Sequence, residues 1–356
     1  MAELIPVRAG EELNVEALAP CLKAALGDQA AGPWSVLQYS AGHSNLTYRL
    51  SNNNQLAVVL RRPPRGPVAP RAHDMLREAK FLTAIHPAYR WAPRVYAAFA
   101  ADSALGVPFF VMESRSGVLV DRAALQGHGP DTARRISEIM VRRLADLHAV
   151  DWRATGLKDM VRPEGFMQRQ AVGWVGRYQR AKTDEVDGAD ELCTWLVANA
   201  PATSEFRVIH YDYKLDNVLF NRDFSDLTGV FDWEMATVGD PLADLAVAVS
   251  YWSEPADGPN FLEDNPVTNL PGFYSREDWV QAYADRSGAD IHHFGYYLTF
   301  AYFKLAVIIA QIYYRYRAGQ TQDARFAQFG TVVRDLVETA RRVQSHAKGD
   351  SLWPTS

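Results

Sequence analysis

Residues 210–217 read HYDYKLDN, and Asp232 follows near the end of the apolar stretch TGVFDW. The segment HYDYKLDN and the residue Asp232 each come directly after a short run rich in Val, Ile or Phe, which is typical of a β-strand. The sequence therefore predicts neighbouring strand ends that present two carboxylates, one ammonium and one amide. These groups belong to Asp212 and Asp232, to Lys214 and to Asn217.

This set of side chains suits a nucleotide that carries a magnesium ion. Mg²⁺ prefers oxygen ligands and keeps several waters, so Asn217 and Asp232 can hold it against phosphates without a full protein cage. Asp212 is then available as a base that accepts the proton of an attacking alcohol and aims its oxygen. The ammonium of Lys214 suits the charge on the phosphoryl group. The pattern predicts phosphate transfer that depends on ATP and Mg²⁺.

The chain changes from strand patterns to helix patterns along its length. Short apolar runs bounded by turn residues predict an antiparallel meander over residues 34–62 and two more strands within 95–114. Helical spacing of Met75, Ala79 and Leu82 predicts a helix over 73–85. The remaining spacing is mostly helical, apart from the strands around HYDYKLDN. We predict a small N-terminal lobe, residues 1–113, and a larger, mostly helical lobe, residues 114–356.

The segment HYDYKLDN resembles the catalytic loop of the protein-kinase-like fold. Residues 229–246, GVFDWEMATVGDPLADLA, look like the metal-binding segment of its small-molecule branch, the aminoglycoside phosphotransferase and choline kinase group. The resemblance implies an α+β, bilobal fold with an antiparallel sheet and helix in the N-lobe and a mostly helical C-lobe. It also implies that Asp244 braces the catalytic loop, and a helix N-cap is equally compatible with this residue.

The resemblance further implies a hairpin that covers the phosphates of the nucleotide. The corresponding stretch, residues 40–48, contains only one glycine, so small polar residues would have to contact the phosphates. Exposed backbone amides with Ser44 and Asn45 suit phosphate oxygens, and a plain β-turn is the alternative.

A kinase-like N-lobe also needs a cation on a strand and a glutamate on the following helix. No lysine occurs between Lys23 and Lys80, so an arginine of AVVLRRPP must supply the cation. Strand alternation favours Arg61 over Arg62 in this role, with Glu78 as its partner. The alternative is that both arginines are solvated edge residues.

The segment FFVMESRSG resembles the hinge between kinase lobes, where an extended backbone hydrogen-bonds adenine. The implied nucleotide contacts are Met112 and the backbone from Glu113 to Arg115. The alternative for Met112 is filling of the hydrophobic core, which is the commoner role of a methionine.

The spacing after Asp232 distinguishes two kinds of kinase. Only six residues separate Asp232 from Gly239, the start of Gly-Asp-Pro. Protein kinases carry an activation segment at this position. The short spacing leaves no room for a docked peptide and favours a small molecule with a hydroxyl group as the acceptor.

Five segments together resemble the kinase-like module that occurs fused to acyl-CoA dehydrogenases: GHSNLTYRL, VLRRPPRG, AHDMLREAKFL, HYDYKLDNVLF and DWEMATVGDPLADLA. This resemblance implies an ATP-dependent kinase for small-molecule hydroxyls, in some members a hydroxyacyl-CoA. Two alternatives stay open. One is an aminoglycoside-type antibiotic O-phosphotransferase, and the other is a catalytically silent nucleotide-binding module, which the missing strand lysine would suit.

Recognition of the acceptor is predicted for two helical stretches of the C-lobe. Arg169 and Trp174 fall within the first stretch and Tyr313 within the second, and we add Glu234 of the FDWE segment. Basic and aromatic groups of this kind suit the phosphates and adenine of an acyl-CoA. The alternative is that the aromatic residues pack and the arginines are solvated.

A polycationic aminoglycoside would require an acidic pocket instead. Five acids occur within residues 184–191, and such a run is more often a solvated loop. The sequence alone therefore leaves the identity of the acceptor open.

Composition limits the partners and the compartment. The chain has 356 residues, 48% of them hydrophobic, with a net charge of −5 and scattered arginines, so no nucleic-acid partner is expected. Residues 294–312 are apolar but contain Lys304 and several tyrosines, so we predict a buried helix and no membrane partner. Two distant cysteines, and an N-terminus without a basic and apolar leader, predict a cytoplasmic protein.

Overall fold

A computed structural model describes residues 3–40, 45–64, 74–203, 205–257, 266–321 and 323–346. The chain divides into two compact units, each made of several segments. Unit 1 comprises Met1–Gln126, Trp152–Asp159 and Leu215–Ala236, and unit 2 comprises Gly127–Asp151, Met160–Lys214 and Thr237–Ser356. The predicted lobe boundary at Glu113 follows chain order and stays a prediction.

The described residues form ten strands and nine α-helices. The strands are β1 (Leu4–Ile5), β2 (Trp34–Tyr39), β3 (Leu46–Asn52), β4 (Ala57–Arg62), β5 (Val95–Phe99), β6 (Phe109–Glu113), β7 (Arg207–Ile209), β8 (Val218–Phe220), β9 (Leu227–Val230) and β10 (Thr237–Gly239). The helices are α1 (Val15–Leu26), α2 (Met75–Ile85), α3 (Pro130–His148), α4 (Phe166–Ala181), α5 (Ala189–Ala198), α6 (Pro241–Ser250), α7 (Arg276–Ser287), α8 (Phe294–Arg317) and α9 (Phe329–His346).

Unit 1 is built on a six-stranded sheet in the order β1-β2-β3-β4-β6-β5, in which neighbouring strands pair antiparallel. The predicted meander is β2, β3 and β4. Strand β3 alternates between buried and half-buried residues, as expected where one face packs on a core. That core contains Leu18, Tyr48, Leu60 and Phe109, all with no exposed surface.

Helix α2 packs against β5 and β6 in unit 1. The Asp74 side chain accepts a hydrogen bond from the Arg77 amide and so caps the helix, which begins at Met75, two residues after the predicted start. The β8–β9 hairpin belongs to the same unit, and Phe220 exchanges two backbone hydrogen bonds with Val118. These contacts tie the segment that carries Asn217 and Asp232 to the sheet unit.

Unit 2 is mostly helical, and its longest helix is α8. This helix contacts α9, α6 and α4. Its length and composition would allow it to cross a membrane, but 83% of an apolar 18-residue stretch of the helix is buried inside the protein. A helix that is apolar all round is expected in a protein core, so the predicted buried helix is confirmed.

Short strands and caps in unit 2 differ in detail from the sequence pattern. Strand β7 pairs with β10, which the pattern did not predict. Helix α3 begins with Pro130 at its first position, directly after Gly129, and proline favours this position of a helix. Helix α6 is capped by Asp240, whose carboxylate accepts from the Leu242 amide.

Candidate active site

A buried arginine joins three elements of unit 1. Arg61 lies at the end of β4 and is 7% exposed. Its Nη1 donates to Oε1 of Glu78 on α2, and its Nη2 donates to Oδ1 of Asp232 at 2.6 Å. Glu234 and Asn45 complete this group, which we call the Arg61 cluster. The structure thus places Arg61, and not Arg62, beside the helix glutamate.

Burial and charge act against each other in the Arg61 cluster. Burial raises the pKa of Glu78 to about 7, although Arg61 opposes the shift, and the neighbouring carboxylates of Asp232 and Glu234 add to it. Burial also lowers the pKa of Arg61, but Glu78 and Asp232 outweigh it, so that the net shift is upward. Arg61 therefore stays charged, and the protonation of Glu78 depends on its partner.

Replacing Arg61 with methionine is expected to lower the free energy of unfolding by about 2–3 kcal/mol near neutral pH. The reason is that Glu78 would remain buried without its cation. Arg61 is the contact that lowers the pKa of Glu78, so without it that pKa should rise above about 7 and the carboxyl would ionise only at alkaline pH. The loss should therefore be larger at about pH 9 than at about pH 6, where Glu78 is protonated with or without its partner. Urea unfolding at the two pH values measures both quantities.

The control is the double variant Arg61→Met/Glu78→Gln, which removes both members of the buried pair. It should recover part of the stability at neutral pH and lose the pH dependence of the single variant. An Arg61→Met variant that is equally destabilised at both pH values would contradict the assignment of the charge to Glu78.

The segment around Asp232 is fixed by aromatic packing and by its backbone. Asp232 has a left-handed backbone with φ of 63°, which is rare for a residue other than glycine. The next residue, Trp233, has its ring centroid 6.1 Å from that of Phe81 and 5.9 Å from that of Tyr89. Its Nε1 donates a hydrogen bond to the Val230 carbonyl. Packing on α2 and on the loop that follows therefore holds the backbone that carries Asp232.

Asn217 and Asp232 lie in the same unit, at the open end of the β8–β9 hairpin. Asn217 directly precedes β8, and Asp232 lies two residues after β9. The Phe231 amide donates to the Asn217 carbonyl at 2.8 Å. The Asp232 side chain is 32% exposed, so it can be reached from solvent. Over the described ranges no group of three or more His, Cys, Asp or Glu could hold a metal alone. One carboxylate and one amide oxygen fit Mg²⁺, which takes its other ligands from water and phosphates.

Residues 41–44 of the predicted phosphate-covering segment, Ser44 among them, lie outside the described residues. Asn45 is buried, and its Nδ2 donates to Oε2 of Glu234 at 2.8 Å. Glu234, which the sequence assigns to the acceptor, therefore lies in the Arg61 cluster. Arg77 on α2 donates to the Glu234 and Ala236 carbonyls, a contact that the sequence did not indicate.

The predicted adenine-binding segment follows β6. Met112 is 5% exposed and packs within the sheet. The Glu113 amide donates to the Arg94 carbonyl, and the Glu113 carboxylate accepts from the Arg115 guanidinium. Arg115 also donates to the carbonyls of Thr228 and Ala92. The two charged side chains are thus used inside unit 1, and the predicted role in nucleotide binding rests on the backbone after Glu113.

In unit 2 the residues His210 to Lys214 form a loop, here called the Asp212 loop, and a buried acid holds it. Asp244 on α6 accepts from the amides of His210 and Tyr211, each at 2.7 Å. His148 Nε2 lies 3.1 Å from the same carboxylate, and its Nδ1 is 2.6 Å from the Tyr283 hydroxyl. Burial raises the pKa of Asp244, but the contacts with His148 and His210 lower it by more, so the net shift is downward. Asp244 therefore stays ionised.

Asp212 and Lys214 interact directly. The Lys214 ammonium lies 3.3 Å from Oδ2 of Asp212 and 4.5 Å from the ring centroid of Tyr251. The Asp212 amide donates to Nδ1 of His210 at 3.3 Å. A carboxylate paired with an ammonium on a braced loop suits a base next to a group that stabilises negative charge.

The predicted acceptor residues of unit 2 differ in exposure. Arg169 is exposed, and its guanidinium folds back onto the carbonyls of Glu164 and Arg162. Trp174 is buried and donates to Gln170 at 3.1 Å. Tyr313 is also buried and accepts from Arg317. Their roles toward an acceptor stay predictions.

Comparison with known proteins gives the class of this protein. The chain aligns with a solved structure from Ralstonia eutropha assigned to the aminoglycoside phosphotransferases, with a TM-score of 0.79, 27% identity and coverage of 95% of this chain and 99% of that one. A choline kinase from Cryptosporidium parvum aligns with a TM-score of 0.65, 12% identity and coverage of 94% and 98%. A third structure, a GDP and kanamycin complex of an aminoglycoside phosphotransferase, has a TM-score of 0.60, 15% identity and coverage of 91% and 99%. The predicted α+β, protein-kinase-like fold is confirmed.

The family follows from the sequence match. Residues 35–292 match the profile of the phosphotransferase enzyme family, so the chain belongs to that family. It is 31% identical over 340 residues to acyl-CoA dehydrogenase family member 10 of Mus musculus, covering 94% of this chain and 31% of that protein. It is 34% identical over 316 residues to family member 11 of Gallus gallus, covering 87% and 40%. The chain thus spans about a third of the length of these curated relatives, as the sequence resemblance implied.

Proposed function

We propose that the chain transfers the γ-phosphoryl group of ATP, with Mg²⁺, to the hydroxyl group of a hydroxyacyl-CoA. The observation that carries the proposal is the Arg61 cluster. One guanidinium is bonded to both the helix glutamate Glu78 and the carboxylate of Asp232. This is the pairing that a kinase-like nucleotide site requires, with arginine in the place of the usual lysine.

Different residues of the chain would bind the metal, the phosphates and the base of the nucleotide. Asn217 and Asp232 would hold Mg²⁺, which neutralises phosphate charge when it is bound. Arg61 would contact the phosphates through its planar fork, and the backbone after Glu113 would bind the base of the nucleotide. The neighbours include a complex with GDP, which is consistent with a nucleotide site of this kind.

Proton transfer is assigned to the Asp212 loop. The hydroxyl oxygen of the acceptor forms a bond to the γ-phosphorus while the bond from that phosphorus to the bridging oxygen breaks and ADP leaves. Asp212 accepts the hydroxyl proton in this step, and Lys214 stabilises the charge that develops on the phosphoryl oxygens. Asp244 keeps the loop in place through the two backbone amides.

Charge in unit 2 favours an anionic acceptor over a polycation. Two cations that are not fully buried are placed at the Asp212 loop: Lys214 belongs to it, and Arg177 interacts electrostatically with Tyr211. Three of the five acids of residues 184–191 pair with cations of the same unit, Glu185 and Asp190 with Lys182 and Asp184 with Arg317. The acyl-CoA dehydrogenase names of the relatives support an acyl-CoA. We propose a cytoplasmic location, where such thioesters are available.

The experiment is a transfer assay with radiolabelled ATP and a panel of hydroxyacyl-CoAs, amino alcohols, sugars and aminoglycosides. We expect labelling of a hydroxyacyl-CoA that requires Mg²⁺ and that EDTA abolishes. In Asp232→Asn the Mg²⁺ concentration for half-maximal rate should rise about tenfold or more. Asp223→Asn, an exposed acid in the turn of the same hairpin, is the matched control and should behave as the unmodified chain.

Other outcomes separate the alternatives. Labelling of an aminoglycoside alone would identify an antibiotic O-phosphotransferase. Thermal stabilisation by nucleotide without turnover on any acceptor would identify a silent nucleotide-binding module.

A further inference from the structure

A lysine in the middle of the apolar helix α8 has no role in the reaction as described so far. Lys304 is the only charged residue between Phe294 and Tyr314. It is 2% exposed. A buried ammonium that lacks compensation destabilises a fold, so its partners should show what it does.

The partners of Lys304 belong to the Asp212 loop and to α4. Its Nζ donates to the Tyr211 carbonyl at 2.8 Å and lies 4.2 Å from the centroid of the Tyr211 ring. The same atom lies 5.6 Å from the centroid of the Trp174 ring. The strongest contact is therefore with the peptide group that joins Tyr211 to Asp212.

This peptide group is held in an unusual conformation. Tyr211 has a φ of 66°, in the left-handed region that L residues seldom adopt. Its amide donates to Asp244, and its carbonyl accepts from Lys304. Two buried charges of opposite sign thus hold the two sides of one strained residue, directly before the proposed base.

The charges around Lys304 come from three elements. Asp212 and Lys214 face it from the loop, Asp244 from α6 and Arg177 from α4. The buried positions of α9, which also packs on α8, are all Val or Ala. Burial lowers the pKa of Lys304 to about 8, and Lys214 and Arg177 add to this shift while the two acids oppose it. The ammonium therefore persists at neutral pH and is lost at moderately alkaline pH.

We propose that Lys304 is a positioning residue that fixes the orientation of the Tyr211–Asp212 peptide, and through it the Asp212 carboxylate. This inference rests on the proposed function, in which Asp212 is the base. It explains why a charged side chain occupies a helix position that packing alone would give to Leu or Met. Lys304 acts through the loop and does not contact the substrate.

The test is Lys304→Met, which has a similar volume and lacks the charge. We expect kcat to fall about tenfold or more with little change in the KM for ATP, because misplacement of a base affects the chemical step. The thermal midpoint should change little, because methionine removes the desolvation penalty of the ammonium as well as its bonds. The unmodified chain should lose kcat above pH 8, and the variant should lack this alkaline limb.

Two further variants make the result specific. Thr299→Val removes another buried polar group of α8, whose hydroxyl donates to the Gly295 carbonyl of its own helix, and should change neither kcat nor the pH profile. Lys304→Gln keeps a donor without the charge, so it should retain part of kcat and lose the alkaline limb. It also serves if Lys304→Met does not fold.

Hydrogen exchange provides a readout that does not depend on turnover. Amides in the peptide covering residues 207–214 should exchange faster in Lys304→Met than in the unmodified chain, and not in Thr299→Val. Unchanged exchange, or an unchanged kcat, would overturn the inference. If the unmodified chain transfers no phosphate at all, the proposed function fails, and the exchange data still decide whether Lys304 holds the loop.

Discussion

In Asp212→Asn, kcat for phosphate transfer is expected to fall by about 10²–10⁴-fold, while the affinity for ATP changes little. Asparagine has nearly the same shape as aspartate, so the loop should keep its bonds to Asp244. The amide cannot accept the proton of the acceptor hydroxyl, however, and it also lacks the charge that pairs with Lys214. Steady-state kinetics together with nucleotide-induced thermal shifts measure the two effects separately.

Asp216→Asn is the matched control for this prediction, because Asp216 is an exposed acid four residues further along the chain. It should retain nearly all activity. A full kcat in Asp212→Asn would show that the proton leaves by another route, and the assignment of the base would then be wrong even if the chain remains a kinase.

In Asp244→Ala, the free energy of unfolding is expected to fall by about 3–5 kcal/mol, because the change leaves buried partners without their acceptor. Two backbone amides and His148 lose their hydrogen bonds at once. The pKa of Asp244 is lowered in the folded state, so its contribution is present above the pKa of the unfolded chain, near 3.9, and is lost as the pH falls further. Urea unfolding at neutral pH measures the loss.

The comparison for Asp244→Ala is Asp278→Ala. Asp278 also accepts from a backbone amide, that of Ser275, in the capping box of α7, but it is exposed. Its loss should amount to about 1 kcal/mol. Equal losses in the two variants would mean that burial of Asp244 adds nothing, contrary to the role assigned to it here.

Much of the fold could be predicted because its elements have strong local patterns. In the meander, apolar and polar residues alternate cleanly in β3, which shows the same alternation in burial, and β4 begins with four apolar residues in succession. Strand β1 has only two residues and β10 only three, and such short pairings depend on partners distant in the chain, so no local pattern marks them.

The site could be predicted where chemistry and spacing coincide. Strand alternation correctly distinguishes Arg61 from its neighbour as the partner of Glu78, since successive side chains of a strand point to opposite faces. The roles toward nucleotide and acceptor stay predictions. Lys304 could have been singled out as a lone charge in an apolar helix, but its partner, a backbone carbonyl, leaves no trace in the sequence.

The guanidinium of Arg61 holds two carboxylates at the same time, and this has a thermodynamic consequence for ligand binding. If Asp232 holds the metal as proposed, a divalent ion that binds alone must compete for it with Arg61, which is already bonded to its carboxylate. In the proposed reaction a triphosphate would offer Arg61 a new counter-charge and so release Asp232. We therefore expect metal and nucleotide to bind with positive linkage, each strengthening the affinity for the other by the same factor.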